Sequence, residues 1–132
     1  MNGEGLQSIE EGVTYRNMIK KILQIESVIF FLISLYLFNL REQSWLIFIL
    51  LLFTPDISMI GYLKNKKIGA IVYNVGHNYL LAISMVILGN LTPYDWMITL
   101  GIILFAHVSL DRALGFGLKY PKDFKETHIQ KV

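Results

Sequence analysis

The sequence predicts an all-α fold, a four-helix transmembrane bundle with both termini cytoplasmic. Three observations predict it. Apolar residues gather in four long blocks, basic residues gather at alternate ends of those blocks, and five polar groups from all four blocks fall at one depth.

At 132 residues one domain is the natural count, and 54% of the residues are hydrophobic. About 20 consecutive apolar residues span a bilayer core of roughly 30 Å, and each block approaches that length. There is no cysteine, which excludes disulfides and Cys-ligated zinc or iron–sulfur centres. The net charge of +2 is too small to point to nucleic acid, so the lipid bilayer is the expected partner.

Residues 1–17 form a polar arm containing Gly3, Gly5, Gly12, Glu4, Glu10 and Glu11. It reads as a frayed or weakly helical lead-in. No basic residue precedes Arg16 and no apolar run follows the start, so no cleaved signal peptide is expected.

The transmembrane domain is expected over 18–117. Its first span, about 18–40, is approached through Arg16, Lys20 and Lys21 and is interrupted by Gln24, Glu26, Ser27 and Ser34. Asn39, Arg41 and Glu42 make a short turn. The second span, 45–63, is almost uniformly apolar until Thr54-Pro55-Asp56, where the proline removes a backbone donor and predicts a kink. Lys64, Lys66 and Lys67 form a basic turn. The third span, 68–88, carries Tyr73-Asn74-Val75-Gly76-His77-Asn78-Tyr79. Gly89 to Pro93 break it, and Tyr94 and Trp96 suit an interface. The fourth span, 95–116, is expected to end at a Gly117 cap with Pro121 as a stop. Residues 118–132 form a charged cytoplasmic tail.

Orientation follows from charge. Arg16, Lys20, Lys21, the three lysines of the second turn, and Lys119, Lys122, Lys125 and Lys131 all fall on one side. The other side has Arg41 alone. The positive-inside rule then places both ends in the cytoplasm.

Counted inward from Met18, Leu63, Ile68 and Gly117, Glu26 lies ~12 Å deep, Asp56 ~10 Å, His77 ~14 Å, His107 ~15 Å and Asp111 ~9 Å. Glu26, Asp56, Asp111 and Arg112 turned to lipid would together cost on the order of 10 kcal/mol. They are expected to face one another, water or a ligand. A shared polar pocket in the cytoplasmic half follows.

His107 and Asp111 stand four residues apart, on one helical face. With Asp56 and His77 they offer a nitrogen and oxygen ligand set for a divalent transition metal: zinc, manganese or iron. Glu26 could orient a ligand histidine or serve as a catalytic general base. Asn74 and Asn78 could hold a substrate or a ligand residue. Arg112 points roughly 100° away from Asp111, either snorkelling to the interface or clamping an anionic head group. A metal-dependent hydrolase, or a binder of a lipid-like or small anionic ligand, is one reading. The others are a hydrogen-bonded polar core that orders helices, bis-histidine haem ligation by His77 and His107, and a proton relay in a small transporter.

The strings Pro55-Asp56-Ile57-Ser58-Met59-Ile60-Gly61-Tyr62, Gly69 to His77, His107 to Tyr120 and Phe124-Lys125-Glu126-Thr127-His128 resemble a small bacterial membrane-protein family. That family is catalogued as a domain of unknown function, number four-two-six-zero. The resemblance covers about residues 18–129 and implies a four-helix integral protein of the bacterial plasma membrane. It brings no established activity. A fainter likeness is to the membrane-bound metal-dependent hydrolases, which also place a Pro-Asp, helix-borne histidines and a His…Asp pair in membrane helices. This chain lacks their His-Arg…Thr-His-Ser string and has Tyr73-Asn74-Val75-Gly76-His77 instead.

Overall fold

A computed structural model describes residues 3–116, with side chains described except at 58–62. Among the described residues the protein is all-helical: α1 (Gly3–Leu40), α2 (Trp45–Leu52), a 3₁₀ helix (Thr54–Leu63), α3 (Lys66–Gly76), α4 (Tyr79–Leu91) and α5 (Trp96–Ala113).

The expected polar arm and first span are one helix of 38 residues. At ~1.5 Å per residue it is about 57 Å long, nearly twice the hydrocarbon thickness. Extending a helix costs far less than starting one, so the apolar segment carries its helix back through the arm despite Gly5 and Gly12. Gln7 donates to Glu11 at 3.4 Å and Glu4 stands in the first turn, where a negative charge is favourable. Glu42, at φ 52°, turns the chain out of the helix end.

The second span is not a single kinked α-helix. Ser44 caps α2, accepting from the Leu46 amide, but the helix ends after eight residues. Pro55 has no N–H to continue the ladder. The Asp56 amide instead reaches the Phe53 carbonyl at 3.1 Å, and the tighter 3₁₀ helix begins.

The third span is likewise two helices. Asn65 caps α3 through the Ile68 amide at 2.8 Å. His77 ends α3, Asn78 caps α4, and the two axes meet at 40°.

α5 is the central helix. Nine of its eighteen residues are buried, from Thr99 to Ser109, which an apolar helix achieves only when neighbours surround it. α1 and α4 pack along it and α2 crosses it, while the 3₁₀ helix lies against α3. Phe38, Phe48, Leu52, Ile102, Ile103 and Ala106 form the main core. At the far end of α5, the Gly115 amide bonds the Arg112 carbonyl and the Phe116 amide bonds the Asp111 carbonyl. Gly115 has φ +96°. This is a Schellman closure, so the helix stops two residues before the expected cap. Gly117 itself, the tail and His128 lie outside the described residues.

α1 and α5 are each long and apolar enough to cross a membrane, and α3 with α4 makes a third crossing if the bent pair counts as one. Ile22, Ile25, Ile29 and Leu32 on α1, Leu46 and Leu50 on α2, and Leu80 and Ile87 on α4 all expose their side chains. Hydrocarbon is the solvent that suits such a surface.

Candidate metal centre

Each residue of the cluster owes its position to a local feature of the chain. Asp56 projects from the 3₁₀ helix that Pro55 imposes. His77 is the residue at which α3 stops. His107 and Asp111 are neighbouring turns on the buried face of α5. One atom from each of Asp56, His77, His107 and Asp111 can be chosen so that all four lie within 4.8 Å of one another.

The distances are specific. His77 Nε2 is 3.2 Å from Asp56 Oδ1 and 3.7 Å from Asp111 Oδ2. His107 Nε2 is 3.3 Å from Asp56 Oδ1 and 3.2 Å from Asp111 Oδ2. A tetrahedral ion bound at about 2.0–2.2 Å holds its ligand atoms about 3.3–3.6 Å apart. The four nitrogen–oxygen separations sit around that range.

Hydrogen bonding distinguishes the two imidazoles. His77 Nδ1 is 3.0 Å from the Tyr73 carbonyl, which can only accept, so Nδ1 carries the proton. In the neutral ring Nε2 then presents its lone pair to the cluster. A histidine ligand is commonly oriented in this way. The Tyr73 ring stacks on the imidazole at 3.8 Å, and its hydroxyl donates to Asp111 Oδ2 at 3.4 Å. His107 is 1% exposed. Its Nε2 lies between two carboxylate oxygens, one from the 3₁₀ helix and one from its own helix.

Electrostatics press the same way. Two carboxylates within 4.8 Å repel by on the order of 3 kcal/mol at an effective dielectric of about 20. A divalent cation between them removes that repulsion and leaves the site neutral with two neutral imidazoles.

The remaining candidates lie elsewhere. Glu26 is exposed on α1 and does not belong to the group of four, whereas its neighbour Ser27 is the buried residue. Asn78 is committed to the backbone. Its Nδ2 donates to the Asn74 and Val75 carbonyls at 2.7 and 2.8 Å, and its Oδ1 accepts from the Leu81 amide at 2.8 Å. Asn74 is half-buried and supplies one of those carbonyls. Arg112 does stand beside the cluster, in a cleft with Tyr73, His77 and Asp111. Its guanidinium lies 4.5 Å over the Tyr79 ring.

Sequence reasoning considered Tyr73 only as a donor to Asp56, whereas its hydroxyl goes to Asp111, and it passed over Tyr79. Tyr73 could have been found from its four-residue spacing to His77, which puts the two on one helical face. The contact from Tyr79 to Arg112 crosses between helices and leaves no local signal.

The chain belongs to the family described as a domain of unknown function, DUF4260, whose family model matches residues 20–132. No curated protein and no solved structure matches it.

Proposed function

We propose that this chain is an integral membrane metalloprotein whose Asp56–His77–His107–Asp111 centre takes a divalent transition metal, zinc first, and serves hydrolysis of a lipid-like or small anionic substrate. The chain crosses the bacterial plasma membrane four times, through α1, α2 with the 3₁₀ helix, α3 with α4, and α5. Both ends are cytoplasmic.

The observation that carries the reading is the convergence of two imidazoles and two carboxylates, from four separate places in the chain, with one ligand atom of each within 4.8 Å of the others. A polar core that only ordered helices would not set two carboxylates against each other at this distance, where their repulsion is costly. Two neutral imidazoles and two carboxylates suit zinc, manganese or iron. The absence of cysteine does not weaken this, since N₂O₂ sites need none.

The four ligands are not equivalent. His77, His107 and Asp111 sit on or at the end of α-helices, and their side chains are 3%, 2% and 23% exposed. Asp56 rides on the 3₁₀ helix with its side chain 39% exposed. His77, His107 and Asp111 would hold the metal most firmly, with Asp56 the most accessible of the four. A bound metal would supply Lewis-acid polarisation and an activated water. The more exposed Asp56 carboxylate would be the residue placed to accept a proton at Oδ1, the general-base task first assigned to Glu26.

Elemental analysis of detergent-purified protein tests the reading. Wild type is expected to carry near-stoichiometric transition metal, lost in His107→Ala and in Asp111→Ala. A folded, freshly purified wild type without metal would sink it.

A further inference from the structure

α1 and α4 each pack along α5 and hardly touch each other. Between them, floored by α5, runs a groove of about 410 Å³. Ile33 and Leu37 form one wall, Ile83 and Val86 the other, and Ile102 and Phe105 the floor. Ser34 also lines it, but its hydroxyl is already given to the Phe31 carbonyl. The volume is that of a small-ligand site, and the lining offers hydrocarbon alone over most of its length.

The two ends of this path differ. At one end Arg41 is neutralised by its ion pair with Asp95. At the other, Phe105 packs on Tyr79 at 4.8 Å, and Phe30 packs on both rings. Tyr79 in turn carries Arg112 on its face. Arg112 has no carboxylate partner among the described residues, whose ion pairs involve Arg41, His77 and His107. It shares a cleft with His77 and Asp111 of the metal centre. Phe105 and Arg112 are two helical turns apart, about 10 Å along α5. The apolar trough therefore ends at an aromatic trio, and the Tyr79 of that trio carries a guanidinium next to the His77 and Asp111 side chains. Guanidinium is the side chain best matched to phosphate oxygens.

We propose that the molecule taken up here is a membrane lipid whose head group is a terminal phosphomonoester, its phosphate on Arg112 beside the metal centre and one acyl chain in the groove between α1 and α4. This names the substrate class of the proposed hydrolytic centre and rests on that reading for its chemistry, but the binding itself needs no metal. The opposite arrangement, with the head group on Arg41, would require breaking the pair with Asp95.

Photolabelling of detergent-purified protein tests it, with phosphatidic acid bearing a diazirine in one acyl chain and phosphatidylcholine bearing the same chain. Phosphatidic acid is expected to label peptides containing Ile83 and Ile102 at least tenfold more than phosphatidylcholine. Arg112→Gln removes that preference, Arg112→Lys restores part of it, and Arg41→Gln leaves it within about twofold. Ile83→Trp, at an exposed position, fills the groove and lowers labelling by both lipids. Equal labelling by the two lipids, loss of preference in Arg41→Gln rather than Arg112→Gln, or competition by inorganic phosphate as effective as by unlabelled phosphatidic acid would each overturn the proposal. Metal content measured on the same samples separates the two ideas. Labelling as expected without metal defeats only the hydrolytic centre, and metal without selective labelling defeats only the lipid site.

Discussion

Tyr73 holds His77 from two directions: its ring lies 9° from parallel to the imidazole at 3.8 Å, and its carbonyl accepts from Nδ1 at 3.0 Å. The hydroxyl of the same residue reaches Asp111 at 3.4 Å. One side chain on α3 thus orients a nitrogen ligand and an oxygen ligand that come from different helices. Removing partners of this kind weakens metal affinity by about 10- to 100-fold. Tyr73→Phe keeps the stack and the carbonyl and loses the long hydrogen bond to Asp111, so about a tenfold loss is expected. Tyr73→Ala loses the stack as well and should fall further. Competition against a chromophoric chelator measures both. Equal affinities in the two variants and wild type would remove Tyr73 from the site.

The asymmetry between Asp56 and the other ligands predicts unequal effects on stability. A metal present at about 100 times its dissociation constant stabilises the folded state by about 2.7 kcal/mol. Wild type should therefore unfold at a higher temperature with zinc than with a chelator. Asp56→Asn, on the exposed 3₁₀ residue, is expected to keep most of that rise, and His107→Ala to keep none. Thermal melts in detergent, with and without zinc, decide it. If Asp56→Asn behaves like His107→Ala, Asp56 is a fixed ligand and the site is a closed, structural one.

The four clustered residues could be found in the sequence because a charged or imidazole side chain in an apolar block has few places to go. Depth counting brought Asp56, His77, His107 and Asp111 together without knowledge of packing. It also brought in Glu26, since depth says nothing about which way a residue faces. On α1 the neighbouring Ser27 and Ser34 are the buried residues, and their hydroxyls bond back to Leu23 and Phe31. The all-helical character was legible from the block lengths. The interruption at Pro55 was legible as a kink, but the one at Gly76-His77-Asn78 was not, because a side-chain cap rather than a proline separates α3 from α4.

That cap makes Asn78 a structural residue in its present position. Asn78→Asp retains an oxygen for the Leu81 amide and loses the two bonds donated to the Asn74 and Val75 carbonyls. A net cost of about 1–2 kcal/mol is expected from two lost hydrogen bonds. Asn78→Ala also loses the cap, adding about 0.5–2 kcal/mol. His77 is the adjacent residue, so metal affinity should fall in step with stability in both variants. Chemical or thermal unfolding beside metal titration tests this. Unchanged stability with a change in ligand binding alone would return Asn78 to a substrate-binding role.

Glycines probe whether the site depends on how closely α4 approaches α5. A Cβ on Gly101 would stand 2.7 Å from Val86 Cγ2, 2.8 Å from the Ala82 carbonyl oxygen and 3.0 Å from the Val86 amide nitrogen. Two of these atoms are backbone, so rotamer changes cannot relieve the clash and α4 must move. A Cβ on Gly89 would meet the Ile98 amide nitrogen at 2.8 Å, at the other end of the same contact. Gly12, on the exposed half of α1, has nothing within 4 Å. Gly101→Ala and Gly89→Ala should each destabilise by about 1–3 kcal/mol, the usual cost of overpacking. Gly12→Ala should be neutral or stabilise by up to about 1 kcal/mol, since alanine is the better helix former. Only Gly101→Ala is also expected to weaken metal binding, because Gly101 lies between Gly89 and the ligands, and a shift of α4 there is passed to His77 through the Asn78 cap. Metal affinity that fell equally in Gly89→Ala and Gly101→Ala would mean that the centre senses overall stability rather than the seating of α4.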